Sequence, residues 1–93
     1  MANEIDPWAT YLEKAVVLDT TSAYLYIGNL VRADERWLEL VDVDVHDSSE
    51  GHSTKEKYVM EARKFGVKSN RKRVSVRREF IVSLSLLEDV VEY

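Results

Sequence analysis

The stretch that decides the fold is AYLYIGNLVRADERWLELVDVDV, residues 23–45. Its pattern predicts two long antiparallel strands, Ala23–Ala33 and a second one from Arg36 or Trp37 to His46, joined by a tight turn at residues 33–36. Gly28 interrupts the first strand, where a glycine often marks a bend or a close approach of another backbone. The hairpin is therefore expected to be strongly bent.

The second strand of this hairpin changes the parity of its apolar residues near Leu40. Its apolar side chains occupy even positions first and odd positions afterwards: Leu38, Leu40, then Val41, Val43, Val45. A flat strand cannot keep one apolar face through such a change, because side chains alternate with a period of two. A bulge near Leu40 reconciles the pattern, and it predicts that three polar side chains face solvent: Asp42, Asp44 and His46. Strands bent in this way typically close into a small barrel.

The first strand of the hairpin is apolar on both faces, which is typical of a strand covered on both sides. One face carries Tyr24, Tyr26 and Leu30. The cover is expected from the N-terminal helix or from a neighbouring subunit. Tyr24 and Tyr26 are interpreted as core residues.

The segments around the hairpin complete a mainly β chain with an N-terminal helix. Asp6-Pro7 and the following apolar spacing predict a short helix over residues 7–14. A strand over residues 15–19 then leads through the polar turn Thr20-Thr21-Ser22 into the hairpin.

Residues 54–65 are predicted to form a helix inserted between the third and fourth strands. Ser53 and Glu56 are spaced as a capping box, and Gly66 is placed to end the helix. A long β-hairpin tip is the alternative for this segment. The remaining elements are a basic connector over residues 67–73 and strands from Val74 and over Ile81–Leu87. They are separated by a break at residues 78–79, and the tail from Leu86 is left open between strand and helix.

Length and composition limit the classes of protein to which this chain can belong. Ninety-three residues make one small domain, 1–93, with a single modest core. The longest apolar runs are far too short to cross a membrane, so no membrane partner is expected. The N-terminus MANEIDPW lacks the basic start and apolar centre of a signal peptide, and the chain has no cysteine. A cytoplasmic protein is expected.

Charge is distributed unevenly along the chain. Residues 63–78 hold eight basic side chains and no acidic one, whereas residues 1–62 hold five basic and thirteen acidic ones. This asymmetry favours contact with a polyanion; a solvated basic loop is the alternative. The strip Lys68, Arg71, Lys72 and Arg73 is expected to supply attraction that is independent of nucleic-acid sequence and weakens with salt.

Catalytic and metal-binding patterns are not found in the sequence. It contains no Gly-rich phosphate loop and no Ser-His-Asp arrangement that a fold explains. Asp42, Asp44 and His46 alternate with valines, which is typical of a solvated strand face rather than a metal site. We therefore expect no enzyme activity, no metal and no cofactor.

The order of these elements, with a glycine in the second strand, resembles the Sm/LSm family over roughly residues 6–87. Gly28, Leu30 and Asp34 match the first family motif, and Val76-Arg77-Arg78 is similar to the second. Trp37 or Leu38 stands where the family has a base-contacting asparagine, and Arg78 stands where it has a glycine.

The resemblance implies a five-stranded antiparallel barrel that assembles into a homo-oligomeric ring. Such rings bind RNA, usually single-stranded, and the implied role lies in RNA processing or stability, with DNA as the less favoured ligand. The resemblance places Asp34, Trp37, Arg77 and Arg78 at the contact with nucleic acid. Trp37 is interpreted either as a base-stacking residue or as a core or interface anchor.

Two alternatives remain open at the level of sequence. Arg77 and Arg78 are suited to phosphate and base contact, or they pair with Asp34, Glu35 or Glu79 across a subunit contact. The domain as a whole is either a nucleic-acid binder or a protein-interaction module that uses its acidic faces and tail.

Overall fold

The computed structural model describes residues 7–51 and 54–91. Five strands, one α-helix and three short 3₁₀ turns make up this part of the chain. In chain order they are a 3₁₀ turn Pro7–Tyr11, β1 Ala15–Thr20, β2 Tyr24–Ala33, β3 Trp37–Asp47, α1 Lys55–Phe65, β4 Arg71–Arg77, a 3₁₀ turn Arg78–Phe80, β5 Ile81–Leu86 and a 3₁₀ turn Leu87–Asp89.

The five strands form one antiparallel sheet in the order β4-β3-β2-β1-β5. This confirms the predicted mainly β class, its five strands and the helix between the third and fourth. Within the described residues no pairing joins β4 to β5, so both strands keep a free edge and the sheet stays open.

The bend of the central hairpin lies where Gly28 faces a bulge in β3. Ile27 pairs with Asp44 and Asn29 with Val41, so Gly28 of β2 lies opposite two residues of β3, of which Asp42 takes a positive φ of 52°. A Cβ on Gly28 would lie 3.1 Å from the Val41 carbonyl oxygen, so the neighbouring strand would have to move by a few tenths of an ångström to accommodate it. The glycine lets the bulged strand approach, and the bulge explains the parity change near Leu40.

Apolar side chains pack on both faces of β2, as its sequence predicts. On one face Trp8 and Tyr11 of the 3₁₀ turn pack against the larger buried core, which consists of Val16, Leu18, Leu30, Leu38, Leu40, Val43 and Val76. On the other side α1 covers a smaller cluster of Val17, Leu25, Ile27, Ala62 and Leu87. The inserted helix α1 therefore shields this second face of the sheet from water.

The N-terminal helix is shorter than predicted. The turn stops at Tyr11, and Glu13 has a φ of 65°. The Glu13 amide then donates to the Leu30 carbonyl at 2.7 Å, while the Leu30 amide donates to the Lys14 carbonyl at 3.0 Å. Residues 13 and 14 thus already pair with β2 before β1 begins. Their backbone amide and carbonyl groups are therefore not available to extend the helix.

The inserted segment is a helix and not a hairpin, but its cap differs from the prediction. Thr54 is the N-cap, and its hydroxyl accepts from the Lys57 amide at 3.1 Å. The predicted capping residue Ser53 lies outside the described residues. Gly66 ends the helix as expected, with a φ of 95°.

Three side-chain placements and one segment were predicted wrongly. Asp44 was expected in solvent but is 2% exposed, because α1 covers the face on which it lies. His46 is half-buried against Tyr58 of the same helix. Tyr24 was expected in the core but is 43% exposed at the start of β2. The basic connector is also shorter than predicted, because residues 71–73 belong to β4.

Two further points concern the ends and the membrane. The described part of the tail, to residue 91, contains neither a strand extension nor an α-helix: residues 87–89 form a 3₁₀ turn that packs Leu87 beneath α1. Among the described residues, no helix has the length and apolar character needed to cross a bilayer.

Candidate nucleic-acid interface

The β2–β3 turn is built around the carboxylate of Asp34. Its Oδ1 accepts from the Arg36 amide at 2.9 Å and from the Trp37 amide at 2.8 Å. These two backbone donors, with the Arg32 and Arg78 charges nearby, hold the pKa of Asp34 below its usual value. The carboxylate is therefore occupied by its own turn, which it holds in one conformation.

The β4–β5 junction is attached to the same turn through Arg78. The Arg78 amide donates to the Arg36 carbonyl at 2.7 Å, and its Nη1 donates to the Asp34 carbonyl at 2.6 Å. The guanidinium also lies 4.1 Å from the ring centroid of Trp8, within cation–π range. Arg78 thus joins three segments that are far apart in sequence.

Trp37 and Arg77 form the exposed part of this end of the sheet. They are paired across β3 and β4, and the Arg77 guanidinium lies 5.6 Å from the centroid of the Trp37 ring. Trp37 is 42% exposed, and Arg77 makes an ion pair with Glu79 at the surface. An aromatic face and a guanidinium are thus presented together to solvent.

Trp37 stands between two surface clefts. One, of about 340 Å³, is lined by Arg32, Asp34, Trp37, Glu39 and Ser75. The other, of about 410 Å³, shares Trp37 and Ser75 with the first and is otherwise lined by Thr20, Thr21, Ser22, Tyr26, Val76, Arg77 and Phe80. Each cleft is of the size that admits a small organic ligand, about 300–1,000 Å³.

Arg32 and Phe80 were missed by the sequence reasoning. Arg32 pairs across the hairpin with Glu39 and lies 3.7 Å from the Asp34 carboxylate. The parity of β2 could have indicated Arg32, but its register depends on a second shift, between Leu30 and Arg32, that the sequence did not predict. Phe80 is 49% exposed in the 3₁₀ turn between β4 and β5; the sequence showed only a break there.

The remaining predicted residues lie away from this end. Arg71 pairs with Val43 and Arg77 with Trp37, so the two arginines lie about 20 Å apart along the strand. Arg71, Arg73 and Arg77 alternate along β4 and share one face, and Lys72 lies on the strand between the first two. Lys68 precedes the strand and lines a separate pocket beside α1.

Charge within the strip is partly compensated by the chain itself. Arg73 forms an ion pair with Glu39 at 2.8 Å, and Arg71 donates to the Asn70 carbonyl at 3.0 Å. The structure therefore brings Asp34, Trp37, Arg77 and Arg78 together. It spreads Arg71, Lys72 and Arg73 along the edge strand and leaves Lys68 before that strand, beside α1.

Comparison with known proteins is informative at the level of structure. No family model matches the sequence, and no curated protein matches it. An Sm protein of Pyrococcus abyssii in complex with a uridine heptamer superimposes with a TM-score of 0.55 and 13% identity, over 88% of this chain and 99% of that one.

A second group of similar structures comes from a protein complex. A chain of the NatC complex bound to CoA has a TM-score of 0.55 and 17% identity, over 89% of this chain and 87% of its own. A chain of the NatC complex bound to Gag peptide and CoA gives 0.54 and 16%, over 84% and 87%. With the five-stranded sheet order, these similarities show that this chain has an Sm-like fold.

Proposed function

We propose that this protein binds single-stranded nucleic acid, RNA in preference to DNA, as a homo-oligomeric Sm-like ring that acts in RNA processing or stability. One observation carries the proposal: the β2–β3 turn and the β4–β5 junction meet through Arg78, and they present Trp37 and Arg77 side by side to solvent. The similarity to an Sm protein in complex with a uridine heptamer supports it. The proposed role is binding and not catalysis.

Trp37 and Arg77 are suited to different parts of a nucleotide. An exposed indole can stack on any base, since every base has a π face. A guanidinium can contact phosphate oxygens in pairs. The ion pair of Arg77 with Glu79 is exposed on both sides and therefore contributes little to stability. A phosphate can replace Glu79 at low cost.

Asp34 and Arg78 have a positioning role in this proposal. The Asp34 carboxylate is engaged by two amides of its turn, and Arg78 Nη1 donates to the Asp34 carbonyl. Their substitution would act on nucleic-acid affinity by moving Trp37 and Arg77. The arginines of β4 would add attraction that depends on salt and not on sequence.

The free edges of β4 and β5 support assembly into a ring, because unpaired edges otherwise invite uncontrolled pairing. Antiparallel pairing of β4 with β5 of a second copy would place the Arg71 end of one beside the Leu86 end of the other. That end of β5 is followed by Glu88 and Asp89. The pairing would therefore bring a basic strand end against an acidic turn.

Fluorescence anisotropy with labelled oligouridine tests the binding proposal. We expect Arg77→Ala to weaken binding, because it removes a charge-assisted contact worth about 1.5–3 kcal/mol. Lys57→Ala, which removes an exposed charge from α1, serves as the matched control and should bind as the unmodified protein does. An oligodeoxythymidine of equal length tests the preference for RNA. Equal affinities of the Arg77 and Lys57 variants would contradict the proposed site.

Sedimentation velocity tests the ring. The unmodified protein should sediment as a single oligomer. The double variant Glu88→Lys, Asp89→Lys should dissociate at a higher protein concentration than the unmodified protein, because it places like charges against Arg71. Glu50→Lys with Glu56→Lys, exposed acids away from the strand edges, is the control of equal charge change. A monomer at micromolar concentration would count against the ring.

A second candidate function is that of a non-nucleic-acid-binding subunit in a protein assembly. The similarity to chains of the NatC complex favours it. Such a subunit would bind neither oligouridine nor oligodeoxythymidine, and its association with a partner would survive Arg71→Glu and Arg73→Glu. The anisotropy measurement therefore separates the two functions directly.

A further inference from the structure

A pocket of about 240 Å³ lies between α1 and the bulged part of β3, on the face of the sheet opposite the larger core. It is lined by Asp44, Tyr58, Glu61, Ala62, Phe65, Gly66 and Lys68. None of these residues except Lys68 belongs to the proposed nucleic-acid interface, and two of them are acidic. The pocket is smaller than the usual cavity for a drug-sized ligand, so its occupant is of side-chain size.

The base of the pocket carries a buried carboxylate without a counter-charge. Asp44 is 2% exposed, and in the described part of the chain it forms no ion pair. It accepts from the Tyr58 hydroxyl at 2.7 Å and from Asn70 Nδ2 at 3.4 Å, which is a long contact. A carboxylate offers about four acceptor positions, so part of this buried group remains unused. Burying an ionised carboxylate in this way is unfavourable unless a cation compensates it.

Neighbouring contacts hold Asp44 and Tyr58 in place. The Asn70 side chain makes two hydrogen bonds to the backbone of Val45: Nδ2 donates to the Val45 carbonyl at 3.0 Å, and Oδ1 accepts from the Val45 amide at 3.0 Å. The His46 ring stacks on Tyr58 with centroids 3.8 Å apart. Burial, followed by the hydrogen bond to Asp44, raises the pKa of Tyr58 to about 12. The Tyr58 hydroxyl therefore stays a hydrogen-bond donor to Asp44 at neutral pH.

The rim adds a second carboxylate and an exposed aromatic ring. Glu61 lies on α1 one turn from Tyr58, and Phe65 follows one turn later, 69% exposed. Aromatic faces and carboxylates are the two kinds of group that attract ammonium and guanidinium ions. A phosphate would meet two negative charges here and would be repelled. The pocket is therefore complementary in charge to a cation and not to the polyanion proposed above.

We propose that this pocket binds an organic cation, an ammonium or guanidinium group that enters past Glu61 and Phe65 and compensates the charge of Asp44. The group is either the end of a lysine or arginine side chain of a protein partner or a free amine; both present the same chemistry. Two cations of the chain lie close to the pocket: Lys68 lines it, and Lys64 Nζ lies 5.4 Å from the centroid of the Phe65 ring. In the described structure no ion pair joins either lysine to Asp44 or Glu61. Lys68 competes with the ligand for the pocket.

The test is a titration of the ¹⁵N-labelled full chain with butylammonium and methylguanidinium chloride, with sodium chloride at matched ionic strength as the blank. We expect saturable shifts of the Ala62 and Gly66 amides. Asp44→Asn keeps the shape of the side chain and should weaken binding at least about tenfold, because it removes the buried charge. Lys68→Gln should strengthen binding by removing the competing cation.

Glu61→Gln covers the case in which Asp44→Asn fails to fold, since Glu61 is exposed on the helix. It should weaken binding about two- to fivefold, whereas Glu56→Gln on the same helix should have no effect. The peptides acetyl-Ala-Lys-Ala-amide and acetyl-Ala-Gln-Ala-amide separate the two sources. Tighter binding of the lysine peptide than of butylammonium indicates a protein side chain, and the reverse order indicates a free amine. Absence of saturable shifts with every probe, or equal affinity of the Glu61 and Glu56 variants, would overturn the proposal.

Discussion

The guanidinium of Arg77 lies 5.6 Å from the ring centroid of Trp37, and the two residues face each other across β3 and β4. Backbone pairing between two strands thus fixes the spacing of an aromatic face and a cation. Neither side chain is buried, so the pair remains available to a ligand.

If Trp37 stacks on a base, Trp37→Ala should weaken binding of labelled oligouridine by about 1–3 kcal/mol, the usual contribution of one stacked base. Trp37→Phe should retain most of the affinity because it keeps an aromatic face. Anisotropy measures both, and circular dichroism checks that each variant folds. Equal losses in the two variants would show that Trp37 acts in another way.

The arginines of β4 should determine the salt dependence of binding. If Arg71 neutralises one phosphate, Arg71→Gln should reduce the slope of log affinity against log salt by about 0.7 for a single strand. The reduction should be similar for oligouridine and oligoadenosine. Lys57→Gln on α1 should leave the slope unchanged, and an unchanged slope in the Arg71 variant would remove that residue from the interface.

Asp34 should link stability to pH in the acid range. Hydrogen bonds from the Arg36 and Trp37 amides lower its pKa in the folded protein. Its carboxylate therefore stabilises the fold above the pKa of the unfolded chain, and this contribution disappears as the pH falls through the folded-state pKa. Asp34→Asn keeps a turn-forming oxygen but not the charge. Urea unfolding from pH 7 to pH 3 should show the two proteins converging at low pH; a constant difference would contradict this link.

Tyr58 should contribute through its hydroxyl. Tyr58→Phe leaves the buried Asp44 without its shortest hydrogen bond, so the free energy of unfolding at pH 7 should fall by about 1–3 kcal/mol. The raised pKa of Tyr58 stabilises the fold fully below pH 10, and this contribution is lost as the pH rises to about 12. Between these values the unmodified protein should lose stability relative to the Phe variant, as urea unfolding would detect. Tyr11→Phe is the control, because Tyr11 packs on the opposite face.

Gly28 should tolerate no side chain. A Cβ there would lie 3.1 Å from the Val41 carbonyl oxygen and 3.2 Å from the Val43 Cα. Because both contacts are backbone atoms of the bulge, Gly28→Ala should destabilise the protein by about 1–3 kcal/mol. Gly51→Ala, where nothing lies within 4 Å of the added atom but φ is +85°, reports the backbone cost alone. Thermal unfolding should rank the Gly28 variant lower.

Periodicity was sufficient to predict much of the architecture. The change of parity near Leu40 located the bulge, because alternation leaves no other way to keep one apolar face, and the helix over residues 54–65 followed from its apolar spacing and Gly66. The N-terminal helix was overestimated, because pairing of residues 13–14 with Leu30 competes with helix formation and depends on a distant segment.

The candidate site was predictable only in part for the same reason. Asp34, Trp37, Arg77 and Arg78 lie in or beside short motifs, yet what brings them together is the contact of Arg78 with the β2–β3 turn, 44 residues earlier in the chain. The strip from Lys68 to Arg78 is continuous in sequence, but an extended strand spreads its charges along an edge and leaves Lys68 beside a different pocket.

By itself the sequence determined the strand pattern, the glycine at the bend and the concentration of basic residues before the last strand, since these depend on local periodicity and composition. Only the tertiary structure decided which polar residues are buried. Asp44 has the parity of a solvent-facing residue, and it is buried because α1, eleven residues further along the chain at its start, packs over that face of the sheet. Burial depends on which elements come together in space, and no local pattern contains that information.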